Sequence, residues 1–200
     1  IVTAAEADAF MDQVPDHVVV AWDEAYYEYA AADPEFPDTL RYVHEGRNCV
    51  VLRTFSKAYG LAGLRVGYGI APPELIGALK QVREPFNVDL MAQLAAVASL
   101  PDPDQVRRSV ANNEAGKQYL YERFEALGLR YVPTHANFIF VDVGMDSVEC
   151  FNQLMRRGVT VRTGEIFGFP TYLRVTIGTA EENQIFADAL AAVLAEHRGA

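Results

Sequence analysis

Lysine is nearly missing from this chain of 200 residues: Lys57, Lys80 and Lys117 stand against fourteen arginines. Cysteine is scarcer, with Cys49 in an apolar run of strand length and Cys150 in a helical pattern. Two thiols so far apart exclude a disulfide-stapled scaffold and a four-thiolate metal site, and both are expected to be buried. The first forty residues hold ten carboxylates and no lysine or arginine, so the whole net charge of −10 lies in the first fifth. Such a chain lacks the basic stripe that a nucleic-acid backbone or an anionic membrane requires. No run approaches the roughly 18 apolar residues of a membrane span, and Ile1–Phe10 carries Glu6 and Asp8 without a basic start. No signal peptide is therefore expected, and the expected location is the cytoplasm.

Several chemical signatures are absent too. Gly67-Tyr68-Gly69 would need a third glycine at position 72 for a dinucleotide fingerprint, and that residue is Pro72. Lys57-Ala58 does not close a P-loop, and no Gly-x-Ser-x-Gly elbow occurs. His17, His44, His135 and His197 show no ligand spacing, so no metal site is expected.

Half the residues are apolar and 22% are charged, enough for one large domain or one domain with a smaller partner. Helical spacing over Ala4–Val14 precedes a continuous apolar run, Val18–Trp22, of the kind found in a parallel sheet covered on both faces. Cys49–Thr54 and Arg65–Ala71 read as further strands. Glu74–Arg83, after Pro72-Pro73, reads as a helix, Leu90–Leu100 as a buried helix, and Asp104–Leu127 as a long one stopped by Gly128. Beyond it come strands at Leu129–Val132, Asn137–Val143, Val159–Arg162 and Tyr172–Ile177, with helices at Ser147–Arg157 and Glu181–His197. This order predicts an α/β part, residues 1–115, and a smaller α+β part, residues 116–200, bridged by the long helix.

Three places carry chemistry. The run Val18–Trp22 ends directly in Asp23, at the carboxyl end of a strand, where α/β sheets bind ligands; a loop acid or helix cap would look the same. Lys57 follows another apolar strand and precedes Gly60, Gly63, Gly67 and Gly69. In apolar surroundings its amine would serve as a Schiff-base nucleophile, with Ser56 and Arg65 suited to a phosphate; the alternative is a snorkelling surface lysine. Arg174, between Leu173 and Val175, needs an anion, either an internal carboxylate or one on a substrate. Arg162 precedes it, with Glu165 as a potential partner; Phe167, Phe169 and Tyr172 could line an aromatic pocket, but residues at this density are more often core.

Together, Asp23-Glu24-Ala25-Tyr26, Ser56-Lys57 with Arg65 eight positions beyond the lysine, Ala136-Asn137-Phe138-Ile139-Phe140 and Leu173-Arg174-Val175-Thr176-Ile177-Gly178-Thr179 resemble the histidinol-phosphate aminotransferase family. That family belongs to the fold-type I, pyridoxal-phosphate-dependent aminotransferases of class I/II. The resemblance implies that residues 1–115 are the C-terminal part of a mainly parallel, cofactor-binding large domain. It also implies that Lys57 holds pyridoxal 5'-phosphate as a Schiff base and then moves the substrate proton. Asp23 would pair with the pyridinium nitrogen, Tyr26 with the ring's phenolic oxygen, and Ser56 and Arg65 with the cofactor phosphate. Arg174 would grip the substrate carboxylate, and Arg162 matches a position that can meet a substrate phosphate.

The implied reaction is transamination between an amino donor and a 2-oxo acid in a homodimer, with histidinol phosphate and 2-oxoglutarate as the leading pair in histidine biosynthesis. Relatives with these motifs also act on aromatic amino acids or decarboxylate threonine phosphate. Family members are far longer, and the resemblance implies that the N-terminal arm, a glycine-containing phosphate-binding turn, the ring-stacking aromatic residue and an asparagine precede the part represented here. The chain is thus expected to be a C-terminal portion, with a catalytically incomplete module as the competing reading.

Overall fold

A computed structural model describes residues 1–199, which form two compact units, Ile1–Ser109 and a second beginning at Val110. The first opens with α1 (Ala4–Met11), started by a capping box in which Thr3 and Glu6 satisfy each other's backbone N–H groups. The helix stops three residues short of the predicted Val14, ahead of Pro15. Ala7 and Met11 pack on Val20, Tyr42 and Cys49, a cluster in which each fully buried side chain of valine size or larger contributes about 1.5–3 kcal/mol.

β1 (Val20–Asp23) follows, then the short helices α2 (Tyr27–Ala30) and α3 (Thr39–His44), neither of which the apolar periodicity reveals. β2 (Cys49–Thr54) pairs with β1 in parallel, Val20 opposite Cys49 and Asp23 opposite Leu52. β3 (Gly67–Ile70) returns antiparallel to β2, so this three-stranded sheet, ordered β1-β2-β3, is mixed rather than parallel throughout. β1 lies at an edge of this sheet, and of the apolar run only Val20 is buried; Val18 and Val19, which precede the strand, are exposed, so the expected cover on both faces is not seen in this chain.

α4 (Pro73–Val82) has Pro73 in its first turn, and α5 (Leu90–Ser99) is capped by Asp89, which accepts from the Ala92 N–H at 2.9 Å. The expected burial of this second helix is corrected. Ala92 and Ala96 alone are buried, against Phe55 and Val66, while Leu90 and Val97 are each 67% exposed. Small residues face the unit's core here, so the large apolar side chains fall on the opposite face.

The long helix α6 (Pro103–Ala126) contains the division between the units and ends before Gly128, whose φ of 69° admits a left-handed turn. The second unit is built on β4 (Arg130–Val132), β5 (Phe138–Asp142), α7 (Ser147–Arg156), β6 (Arg162–Thr163), β7 (Tyr172–Thr176) and α8 (Ala180–Gly199). Its strands run β4-β5-β7-β6, each antiparallel to its neighbour. Residues 159–161, predicted as strand, leave only a two-residue β6. Alternation sends Ile139, Val141, Leu173 and Val175 into a core shared with Leu120, Phe124, Leu154, Leu190 and Leu194. Arg174 and Phe140, Cα partners across the ladder, share the other face. Cys49 and Cys150 are both free and buried, as expected. Among the described residues no helix is long and apolar enough to cross a membrane.

Candidate active site

Parallel pairing brings the ends of β1 and β2 to the same border of the first sheet. Asp23 is the last residue of β1 and is exposed; its Oδ1 accepts from the Ala25 N–H at 3.1 Å, which turns the chain sharply, and its Oδ2 makes no hydrogen bond or ion pair among the described residues. Tyr26 stands immediately before α2, and Lys57 lies three residues beyond β2. These two come together: the Lys57 Nζ is 5.0 Å from the centroid of the Tyr26 ring. Lys57 is half-buried as a residue, no carboxylate pairs with its amine among the described residues, and the Gly60 N–H closes the turn onto the Lys57 carbonyl at 2.9 Å.

Ser56 and Arg65 also meet. The Arg65 Nη1 donates to Ser56 Oγ at 3.4 Å and to the Ala62 carbonyl at 2.8 Å. Arg65 adopts φ 53° and ψ 44°, a left-handed conformation costly to a side chain with a Cβ. The segment returns to β2 because Phe55 donates to the Val66 carbonyl at 3.1 Å and because position 67 is glycine; a Cβ there would lie 2.7 Å from the Arg53 carbonyl oxygen. The predicted strand Arg65–Ala71 therefore begins two residues late, and Arg65 is freed for the turn. Asp23, Tyr26, Ser56, Lys57 and Arg65 thus all belong to the loops at the ends of β1 and β2.

Arg162 and Arg174 belong to the second unit and are direct cross-strand partners. Arg174 places its Cζ 4.2 Å from the centroid of the Phe138 ring, and neither guanidinium has an ion-pair partner among the described residues, Glu165 included. Both line an open cavity of about 460 Å³ with Phe151, Thr160, Val161 and Thr176. Phe167 and Phe169 are 48% and 50% exposed, not core, and they set their edges against Phe140, which stacks on Tyr172 at 4.8 Å. Facing like charges destabilise a strand pair, and no carboxylate offsets these two among the described residues.

One group escaped the sequence reading. Glu24 is buried and accepts from the Arg53 Nε at 2.8 Å, while the Arg53 Cζ lies 3.4 Å from the Tyr27 ring centroid. Burial opposes the charge of Arg53, but the hydrogen bond and negative charge of Glu24 outweigh it and hold the guanidinium above its ordinary pKa. Nearby Glu28 and Tyr59 are both raised by burial. The available signal was Arg53 itself, a cation inside an apolar strand, as Arg174 is.

The chain matches the model of the family described as aminotransferase class I and II over residues 1–190. The chain belongs to the aminotransferase class I and II family. A histidinol-phosphate aminotransferase of Moorella thermoacetica is 58% identical over 98% of this chain and 50% of its own length. Histidinol-phosphate aminotransferase 2 of Carboxydothermus hydrogenoformans is 48% identical over 96% of this chain and 53% of its own. Among solved structures, the histidinol-phosphate aminotransferase of Sinorhizobium meliloti in complex with pyridoxal-5'-phosphate is 29% identical. Its TM-score is 0.87, and the match covers 98% of this chain and 54% of that one. The chain spans about half the length of the curated relatives it matches, and its fold is that of the class I and II aminotransferases.

Proposed function

We propose that this chain forms part of a pyridoxal-phosphate-dependent aminotransferase that uses histidinol phosphate as amino donor and 2-oxoglutarate as acceptor, in histidine biosynthesis. The observation that carries the reading is the convergence at the ends of two adjacent parallel strands: a free carboxylate on Asp23, an amine on Lys57 against the Tyr26 ring, and the Ser56–Arg65 pair. The donor set fits the cofactor. Ser56 and Arg65 offer a hydroxyl and a guanidinium, with no protein carboxylate on them among the described residues, to a phosphate; Asp23 offers an anion to a ring nitrogen.

When bound, pyridoxal phosphate supplies an electron sink for the pair left on the substrate Cα. The residues do the rest. Lys57 would hold the group through its amine and, once released, would take the proton from the substrate Cα and deliver it to the group's C4′ rather than back to Cα. Asp23 keeps the ring nitrogen protonated, Tyr26 donates to the ring's phenolic oxygen, and Ser56 and Arg65 bind the phosphate. In the second unit Arg174 takes the substrate carboxylate and Arg162 the substrate phosphate. We also propose that the working protein is a cytoplasmic homodimer.

The test is borohydride reduction after incubation with pyridoxal phosphate, followed by peptide mapping. The expected result is a stable adduct confined to Lys57; labelling of Lys80 or Lys117 instead, or of none, would overturn the assignment and favour an incomplete module. The exposed Phe167 and Phe169 beside Phe140 support an aromatic donor as the second reading. Arg162→Ala separates the two. It is expected to weaken a phosphorylated donor and spare an aromatic one, and equal losses for both would remove Arg162 from phosphate recognition.

A further inference from the structure

Two adjacent carboxylates at the end of β1 have opposite surroundings. Asp23 is exposed, whereas Glu24 is 7% exposed and fully engaged: one oxygen accepts from the Arg53 Nε at 2.8 Å and the other from Thr39 Oγ1 at 2.5 Å. The Glu24 N–H continues the β1–β2 ladder to the Leu52 carbonyl at 2.9 Å. Arg53 is nearly buried as well, its guanidinium held between the Glu24 carboxylate and the Tyr27 ring, 3.4 Å from the centroid.

Desolvating two charges is expensive, and an apolar pair of similar volume stabilises a core as well or better. What a buried arginine adds is direction: a planar fork that accepts one partner in its plane and another on its face. Here the in-plane partner directly follows β1 and the face partner begins α2, while the arginine itself is next to last in β2. Tyr26 lies between the two partners in sequence, and its ring meets the Lys57 amine four residues beyond Arg53.

We propose that Glu24 and Arg53 are positioning residues for Lys57: the guanidinium clamped between Glu24 and Tyr27 fixes the turn bearing Asp23 and Tyr26 against the strand end that leads to the amine. This rests on the pyridoxal-phosphate reading above, and it adds residues that touch neither cofactor nor substrate.

Glu24→Gln, Arg53→Met, their double variant and Arg53→Lys test it, with Asp8→Asn as a control that breaks the contacts of Asp8 with Arg41 and Tyr42 elsewhere in the same unit. The readouts are the melting temperature, the affinity for pyridoxal phosphate trapped at Lys57, and the visible circular dichroism of the bound cofactor, which reports how the ring is held. Glu24→Gln and Arg53→Met are each expected to diminish the dichroism and weaken affinity by on the order of tenfold to a hundredfold. The double variant should be no worse than the weaker single, since both act through one clamp. Arg53→Lys should recover melting temperature by keeping the charge, but not the dichroism, for want of a planar face on Tyr27. Asp8→Asn should lower melting and leave the dichroism intact. Variants at Glu24 and Arg53 that behave like Asp8→Asn would overturn the proposal. An unlabelled Lys57 in the unaltered chain would refute the cofactor reading itself, and the clamp's role with it.

Discussion

Arg65 combines a backbone strain with the phosphate role proposed above, and one substitution separates them. Among the described residues only Arg65 and Phe86 are non-glycine residues at positive φ. Holding an L residue in the left-handed region costs roughly 1–2 kcal/mol. Arg65→Gly removes that cost but enlarges the unfolded ensemble, which takes back about 0.4–1 kcal/mol. It also forfeits the hydrogen bonds to Ala62 and Ser56, which at an exposed position contribute about 0.5 kcal/mol together. These contributions nearly cancel, so the cofactor-free variant should unfold within about 0.5 kcal/mol of the parent. Binding should behave differently. A charge-assisted hydrogen bond to a phosphate is worth roughly 1.5–3 kcal/mol, so pyridoxal phosphate should bind about ten- to 150-fold more weakly.

Urea unfolding of the cofactor-free chain, followed by far-ultraviolet circular dichroism, gives the first quantity, and spectrophotometric titration with pyridoxal phosphate gives the second. Arg65→Ala completes the set because it keeps the strain and loses the guanidinium; it should match the glycine variant in affinity and fall below it in stability. Unchanged affinity in Arg65→Gly would refute the phosphate role. A stability loss above about 1 kcal/mol would show that the guanidinium is a clamp of the turn rather than a binding group held at the expense of strain.

Gly116→Ala should gain about 1 kcal/mol of helix propensity and lose more, because the new Cβ would lie 2.6 Å from both Ile177 Cγ2 and the Asn183 amide nitrogen. Asn183 is tied to the Gly178 backbone at both ends, so a net loss of about 1 kcal/mol is expected, and a raised urea midpoint would contradict it. Burial pushes the Asp142 carboxyl up, but hydrogen bonds from Thr171, the Gly144 N–H and Arg130 hold it below the usual carboxylate range. Its contribution is therefore complete above the unfolded pKa of about 4 and disappears as pH falls through the lower folded value. Unfolding free energies of Asp142→Asn between pH 2 and pH 6 should show a shallower acid loss than the parent; parallel curves would exclude this residue. Burial pushes the Cys150 thiol up to about 11 and Cys49 in the same direction, so iodoacetamide at pH 8 should label neither in the native chain and both after denaturation.

The fold was legible where one element's pattern suffices. Cys49–Thr54 forms the predicted strand to the residue, and the long helix stops before Gly128, because a dense apolar run and a left-handed glycine are local signals. Arg65–Ala71 lost its first two residues to a turn because its boundary depends on how closely Gly67 approaches β2, a distance that no window of sequence contains. The same holds for α5. Its apolar composition resembles burial, but which face is covered depends on Phe55 and Val66, far away in the chain. Sheet direction was equally hidden, since an antiparallel β3 and a parallel one have the same composition.

The site divides along a similar line. Lys57, Ser56 and Arg65 follow one strand and Asp23 and Tyr26 another, so each set was readable as a motif; only the parallel pairing of β1 with β2 puts them at one border. Arg174 was conspicuous because a cation in an apolar strand must have a reason, yet its cross-strand position opposite Arg162 required the register of a two-residue strand that shares only Arg162 with the predicted Val159–Arg162. Arg53 satisfied the same criterion as Arg174 and differs in what answers it. A buried carboxylate neutralises Arg53 within its own unit, so its charge is accounted for by the fold. Arg162 and Arg174 face each other across a ladder with no carboxylate paired to either among the described residues, an arrangement that costs stability in isolation. That contrast, more than the presence of arginine in a strand, is the ground on which Arg162 and Arg174 are proposed as binding groups and Arg53 as a positioning one.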